Sequence, residues 1–259
     1  MAAASKAPAV EVEVGDHTVR LSSPDRVYFS ERGETKRDLV DYYLSVGPGI
    51  VNALRERPCM LHRFPKGVDG PKVHQKRLPA GAPPWVETVR LHFPRYGLHA
   101  DELCVTRLAD VIWAVQMSTV EFHPWNSRRA DTESPDEWRI DLDPMPECGF
   151  EKVRRAADTT HEILDELGAV GWPKTSGGSG LHVYVRIEPR WGFADVRRAA
   201  LAFAREVERE LEQRIEQRRA TGSLNMFVHG DLNWLQPVRR SARLLPGPID
   251  RNSIHCCIE

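Results

Sequence analysis

Trp138-Arg139-Ile140-Asp141-Leu142-Asp143-Pro144 is the stretch on which the reading of this chain turns. Apolar and charged residues alternate along it, the period of a strand with one buried face, and proline stops it. Ile140 and Leu142 then face a core. Asp141 and Asp143 share the opposite face, where both carboxylates can meet one or two cations. Hard oxygen ligands suit Mg²⁺ or Mn²⁺, and two such metals can clamp the attacking and leaving oxygens of a phosphoryl transfer. A solvated acidic strand end is the bland alternative, and the flanking residues leave the two readings balanced.

Downstream, Phe150 to Leu167 has helical spacing, with Val153, Ala156, Ala157, Ile163 and Leu164 on one side and Gly168 as its stop. Thr175-Ser176-Gly177-Gly178-Ser179-Gly180-Leu181-His182 follows. Lys174 to Gly180 reads as a Gly/Ser loop, and Leu181 to Ile187 as a strand. Glycine lets a backbone approach an anion closely, Ser176 and Ser179 add hydroxyls, and His182 can hydrogen-bond a phosphate or sugar. Taken alone this loop reads as a plain hairpin. A long helix begins at Asp195 and runs to Gln217. Strand, helix, loop, strand, helix is an α/β order.

Upstream, Val10 to Val14 and His17 to Leu21 alternate around Gly15-Asp16 and predict a hairpin. Thr35 can cap a helix from Lys36, with Leu39, Tyr42, Tyr43 and Val46 on one face. A second helical stretch covers Ile50 to Arg55. Cys59 to Pro94 reads as short strands and loops carrying Arg63, Lys66, Lys72, His74, Lys76 and Arg77. With Phe64, His74 and Trp85 nearby, these cations, together with Arg26 and Lys36, suit a DNA backbone and a stacked base, although a charge run is usually a solvated surface. Ala109 to Val120 predicts a buried helix leading into Glu121-Phe122-His123-Pro124-Trp125. There His123 either approaches a phosphate or metal or sits in a core.

Lys and Arg number 36 against 37 Asp and Glu, a net charge of −1, so local patches matter more than the sum. Five cysteines, two of them adjacent at Cys256 and Cys257, show no zinc spacing, and a reduced cytoplasmic setting is expected. The first residues lack the apolar stretch of a signal peptide. No run approaches the roughly 20 apolar residues of a membrane span, so no membrane partner is expected.

These signals fall in a familiar order. Trp138 to Pro144 with Ser176 to His182 resembles the first two motifs of the archaeo-eukaryotic primase superfamily. The match is closer to the polymerase domain of bacterial ligase D and its stand-alone prim-pol relatives. Leu21 to Phe29, Glu34-Thr35-Lys36, Arg63 to Gly67, Ala82 to Val86 and Glu121-Phe122-His123 resemble the same group, and the likeness covers roughly residues 10 to 210.

The resemblance implies an α/β primase-polymerase-like fold, with a mixed or antiparallel catalytic sheet flanked by helices and an N-terminal α/β lobe. It implies a nucleotidyltransferase that extends primers at DNA gaps or ends in repair or end joining by two-metal chemistry, with Mn²⁺ or Mg²⁺ on Asp141 and Asp143. Ser176 and His182 would hold the nucleotide and His123 would contact the same site, with Ser179 added to that set by the reading of its loop. Arg26 and Lys36 would grip a 5′-phosphate, and Arg63, Lys66 and Lys76 would meet DNA. Nucleoside triphosphates, DNA with 5′-phosphate ends or gaps, and a Ku and DNA ligase partnership follow as expected partners, in a cytoplasmic, nucleoid-associated setting.

Two departures stand out. The ligase D group often has Lys where this chain has Ser179. The family's third acidic residue, usually in a pattern like Val-Asp-Tyr-Asn-Gln-Asn, has its nearest candidate in Asp231 after the strand-like Leu224 to Val228. The expected organisation is therefore a catalytic domain over 1–210 and a divergent or truncated tail over 211–259. An inactive DNA-end or nucleotide-binding module is the alternative, with a metal-dependent nuclease behind it.

Overall fold

The computed structural model describes residues 9–93, 97–145 and 149–220. The chain divides between Thr132 and Glu133 into two compact units.

The first unit opens with the expected hairpin, β1 (Ala9–Val14) and β2 (His17–Ser22), turned at Gly15 with φ +58°. Its alternation buries Val12, Val14, Val19 and Leu21. β3 (Val27–Phe29) and β4 (Glu34–Thr35) form a short pair that leads into α1 (Lys36–Ser45). Thr35 caps α1 in a reciprocal box: the Asp38 amide donates to Thr35 Oγ1, and the Thr35 amide donates to Asp38 Oδ2 at 2.8 Å. The bond from the Thr35 amide, with one from the Thr35 hydroxyl to the same oxygen at 2.7 Å, holds the Asp38 carboxyl below its ordinary range.

The second helix, α2 (Gly47–Leu54), starts earlier than Ile50 because Pro48 fits a helix's first turn, where no amide hydrogen is needed. β5 (Pro58–Arg63) is the axis of a five-stranded antiparallel sheet. It pairs with β6 (Val73–Gln75), with β8 (Leu98–Cys104), which pairs in turn with β7 (Thr88–Phe93), and with β9 (Thr119–Pro124). Between β8 and β9, α3 (Leu108–Gln116) is buried from Ala109 to Val115 and packs on α1, α2 and β2. The helix stops short of Val120: Ser118 takes φ +74°, and Thr119 and Val120 already belong to β9.

The second unit is a three-stranded antiparallel sheet, β10 (Glu137–Leu142), β12 (Leu181–Arg186) and β11 (Gly171–Thr175), in the order β10-β12-β11. Two helices accompany it, α4 (Phe150–Glu166) and α5 (Phe193–Ala220). Ile140, Leu142, Leu181, Val183 and Val185 join Val153, Ala157, Ile163 and Leu164 of α4 and Phe203 and Val207 of α5 in one core. α4 ends at Gly168, whose φ of +68° lets its amide reach Asp165 O while the Ala169 amide reaches Leu164 O, the closing pattern of a helix C-terminus. The sequence placed Lys174 and Thr175 in a loop, but both lie in β11. The edge position explains why Pro173 is tolerated there.

The fold is thus mixed α/β with antiparallel sheets flanked by helices, as the sequence led us to expect. Among the described residues no helix is long and apolar enough to cross a membrane. Asp231, Leu224 to Val228, Cys148, Cys256 and Cys257 lie outside the described residues.

Candidate functional site

The face of the second unit's sheet opposite its core is polar because of register. Asp141 on β10 pairs with His182 on β12, and His182 pairs with Lys174 on β11. One step along, Arg139, Tyr184 and Trp172 line up in the same way. Lys174 was not among the residues singled out from sequence.

The His182 Nε2 lies 3.4 Å from Asp141 Oδ1, and the Arg139 guanidinium stands 5.5 Å from the Tyr184 ring centre while pairing with Glu137. Burial, with the Lys174 and Arg139 cations nearby, pushes the His182 imidazole down to about 4, so it is neutral at neutral pH.

Asp143 is exposed and follows the end of β10 by one residue. A Cβ on Gly180 would overlap Asp143 Oδ1 and sit 2.7 Å from the Leu142 carbonyl oxygen. Strand alternation puts that Cβ on the face of His182 and Asp141, so the Asp143 carboxylate leans over the same face. The glycine is there to make room for it.

Ser176 closes the β11–β12 hairpin. Its Oγ accepts from the amides of Gly178 at 3.3 Å and Gly180 at 3.1 Å. Those two amides are therefore engaged within the loop, and the Ser176 hydroxyl keeps its hydrogen to donate. Gly177 adopts φ +94°, a conformation that only glycine takes readily. Ser179 is exposed at the hairpin tip.

The remaining residues singled out from sequence belong to the first unit. Arg26 donates to Pro65 O at 2.6 Å, and Arg63 donates to Met117 O and Gln75 Oε1. Lys36 is 4% exposed, with its ammonium on Ser22 O at 3.0 Å and Gln116 Oε1 at 2.8 Å. Burial, followed by the charges of Arg26 and Arg63, brings Lys36 down to about 8. All three cations meet carbonyl and amide oxygens in these bonds.

Lys66 and Lys76 are exposed. Lys76 stands 4.7 Å from the Phe93 ring centre, beside a cavity of about 300 Å³ lined by His74, Lys76, Arg77, Phe93, Leu98 and His99. His123 lies on β9 and shares a face with His62 and Glu121. Glu121 Oε2 is 2.7 Å from His62 Nδ1 and 3.3 Å from His123 Nε2. Those bonds, that to His123 first, draw the Glu121 carboxyl down to about 2, while burial holds His62 below its ordinary value. Sequence reasoning missed His62 and Glu121 as a pair, because only the β5–β9 register joins them.

An antiparallel sheet packed on two helices, with paired carboxylates, a neutral histidine and a glycine-serine hairpin on its open face, defines a fold of primase-polymerase type. Residues 35–228 match the family described as "LigD, primase-polymerase domain". The match extends past residue 210 and takes in Leu224 to Val228. The "Multifunctional non-homologous end joining protein LigD" of Pseudomonas aeruginosa is 32% identical over 211 residues, 82% of this chain and 25% of that protein. Its counterpart in Mycolicibacterium smegmatis is 32% identical over 198 residues, 75% of this chain and 25% of that protein.

The structure "Polymerase Domain from Mycobacterium tuberculosis Ligase D in complex with DNA" superposes with a TM-score of 0.70 at 25% identity, covering 75% of this chain and 70% of that one. This chain belongs to the LigD primase-polymerase domain family, a family of nucleotidyltransferase type. It spans about a quarter of the length of the curated relatives it matches.

Proposed function

We propose that this chain adds nucleotides to the 3′ end of a primer at gaps or ends in DNA, within end-joining repair. The observation that carries the reading is the polar face of β10 and β12, where Asp141, Asp143 and His182 come together over Gly180. Asp141 and Asp143 would hold one or two divalent cations, Mn²⁺ or Mg²⁺, and the oxygen donors fit such ions. When bound, these would lower the pKa of the attacking 3′-hydroxyl and neutralise charge on the leaving pyrophosphate. Asp231 is our candidate for a third carboxylate.

His182, neutral because of its burial, can donate one hydrogen bond to a triphosphate or sugar oxygen without adding charge next to Asp141. Lys174 and Arg139 supply the positive charge on that face, so phosphates would be attracted there by cations and oriented by neutral donors. The Ser176 hydroxyl hydrogen and Ser179 at the hairpin tip would add donors for the nucleotide.

In the first unit, Arg26, Arg63 and Lys66 suit a DNA phosphate, including a 5′-phosphate. Lys36, being buried, would act there through its field more than by contact. Lys76 and the cavity beside Phe93 suit a backbone phosphate and an unstacked base. His123 would contact the nucleotide. A Ku protein and a DNA ligase fit as partners, given the end-joining names of the relatives.

Primer extension on a gapped duplex with a 5′-phosphate, in Mn²⁺, with ribo- and deoxyribonucleotides in turn, tests the reading. Extension by the wild-type chain that disappears in Asp141→Ala supports it. No extension by the wild-type chain with either nucleotide set rejects it.

A further inference from the structure

The chemistry proposed above leaves His62 and Glu121 without a task, yet they and His123 form a tight group. The geometry points to a site for one borderline divalent cation, Zn²⁺ foremost, held by His62, Glu121 and His123 on the sheet of the first unit. This does not rest on the polymerase reading.

Register builds the site. His62 pairs directly with Glu121 across β5 and β9, and Met60 pairs with His123, so all three side chains rise from one face. One donor atom from each lies within 4.8 Å of the other two. Two donors on one tetrahedral zinc, with bonds of about 2.0–2.1 Å, stand roughly 3.3 Å apart. The His123 Nε2 to Glu121 Oε2 separation of 3.3 Å has that value already. His62 Nδ1, now 2.7 Å from the same oxygen, would open by roughly half an ångström to reach it.

Without a cation the cluster is crowded. A single oxygen, Glu121 Oε2, meets both imidazoles and lies 3.7 Å from Lys72 Nζ. The His62 and His123 ring centres are 3.7 Å apart, and His74 stands 4.3 Å from His62. His62 is 6% exposed. A cation would take both imidazole lone pairs and the carboxylate at once, and Lys72, on a long flexible stem, can swing away.

A metal would take Glu121 as a carboxylate and both imidazoles as neutral ligands. Two imidazoles with one carboxylate favour Zn²⁺ over Mg²⁺, which prefers oxygen alone. With the side chains of Glu121 and His123 42% and 45% exposed, three protein ligands leave a position open to solvent, where water or a phosphate oxygen could complete the shell.

Equilibrium dialysis of the full chain against Zn²⁺ alone, with bound metal counted by atomic emission, tests the site. Asp141→Ala/Asp143→Ala serves as the parent, so that the carboxylate pair of the second unit does not contribute. Adding His123→Ala or His62→Leu should lower the retained zinc by one equivalent. The affinity lost should exceed the roughly 10–100-fold that removal of a mere outer-shell partner costs. His123 is exposed and its removal leaves the core intact, so His123→Ala decides the matter should His62→Leu unfold. Zinc content unchanged in His123→Ala, or no zinc retained by the parent at micromolar metal, overturns the assignment.

Discussion

The two units each present a polar face of an antiparallel sheet, but the faces carry opposite equipment. In the second unit the face is built around carboxylates, with Asp141 in the strand and Asp143 just past its end, and their neighbours are the neutral His182 and the cation Lys174. In the first unit Glu121 is surrounded by His62, His123 and Lys72, and elsewhere Arg26, Arg63 and Lys36 rest on neutral oxygens. In the reading proposed above, the face of the second unit would take oxygen-seeking cations for phosphoryl chemistry, and that of the first unit an imidazole-bound metal. The same strand alternation produces both, and the difference lies in which residue types occupy the outward positions.

If the second face is where the chemistry happens, Asp141→Ala should lower nucleotide incorporation by roughly 10³-fold or more, about 4 kcal/mol of transition-state stabilisation, with circular dichroism unchanged. Retained incorporation would erase the contrast between the faces.

A second prediction concerns stability in the first unit. Glu102 is fully buried; burial pushes its carboxyl up to about 7, Trp125 Nε1 donates to Oε2 at 3.1 Å, and Oε1 has no partner among the described residues. Its folded-state value lies above the unfolded one, so its contribution is fully present below about pH 4.5 and is lost as pH rises to about 7. Replacing it by Gln should flatten that slope and stabilise the chain at pH 8 by up to roughly 3 kcal/mol relative to its effect at pH 4. Parallel pH curves of denaturant midpoint for the two chains would show the assignment to be wrong.

Gly180→Ala sharpens the comparison from the side of the carboxylates. The added methyl meets Asp143 and the Leu142 carbonyl, an overpacking cost of roughly 1–3 kcal/mol in thermal stability. Incorporation should fall with it, because Asp143 must move. An unchanged melting temperature would mean the hairpin yields freely.

The smallest effect is expected from Lys66→Ala and Lys76→Ala. Each should weaken DNA binding for all sequences alike and reduce the salt slope of log affinity by about 1. A slope that stays constant in both variants would take these lysines out of the DNA surface.

The sequence made some of this plain and hid the rest for identifiable reasons. Asp141 and Asp143 were legible because a strand with Ile140 and Leu142 buried has only one other face. Thr35 announced α1, and Asp38 three residues on completes its cap. Lys174 was hidden because it runs straight into the Gly/Ser stretch of Ser176 to Gly180, and the Pro173 before it belongs to a strand only because that strand is an edge. The start of β9 was masked because Thr119 and Val120 continue the apolar run of α3, and only the turn at Ser118 separates them. His62 and Glu121 lie far apart in sequence, and no local pattern could have predicted their register. Lys36 looked like a surface cation, and it is packed under the hairpin's end instead.

The division of labour between the faces is tested most directly by measuring DNA affinity and single-turnover incorporation side by side, in Mn²⁺, for the wild-type chain and Asp141→Ala/Asp143→Ala. We expect the double variant to hold gapped DNA with nearly unchanged affinity while incorporating no nucleotide. A double variant that still incorporates nucleotides at the wild-type rate would contradict the account.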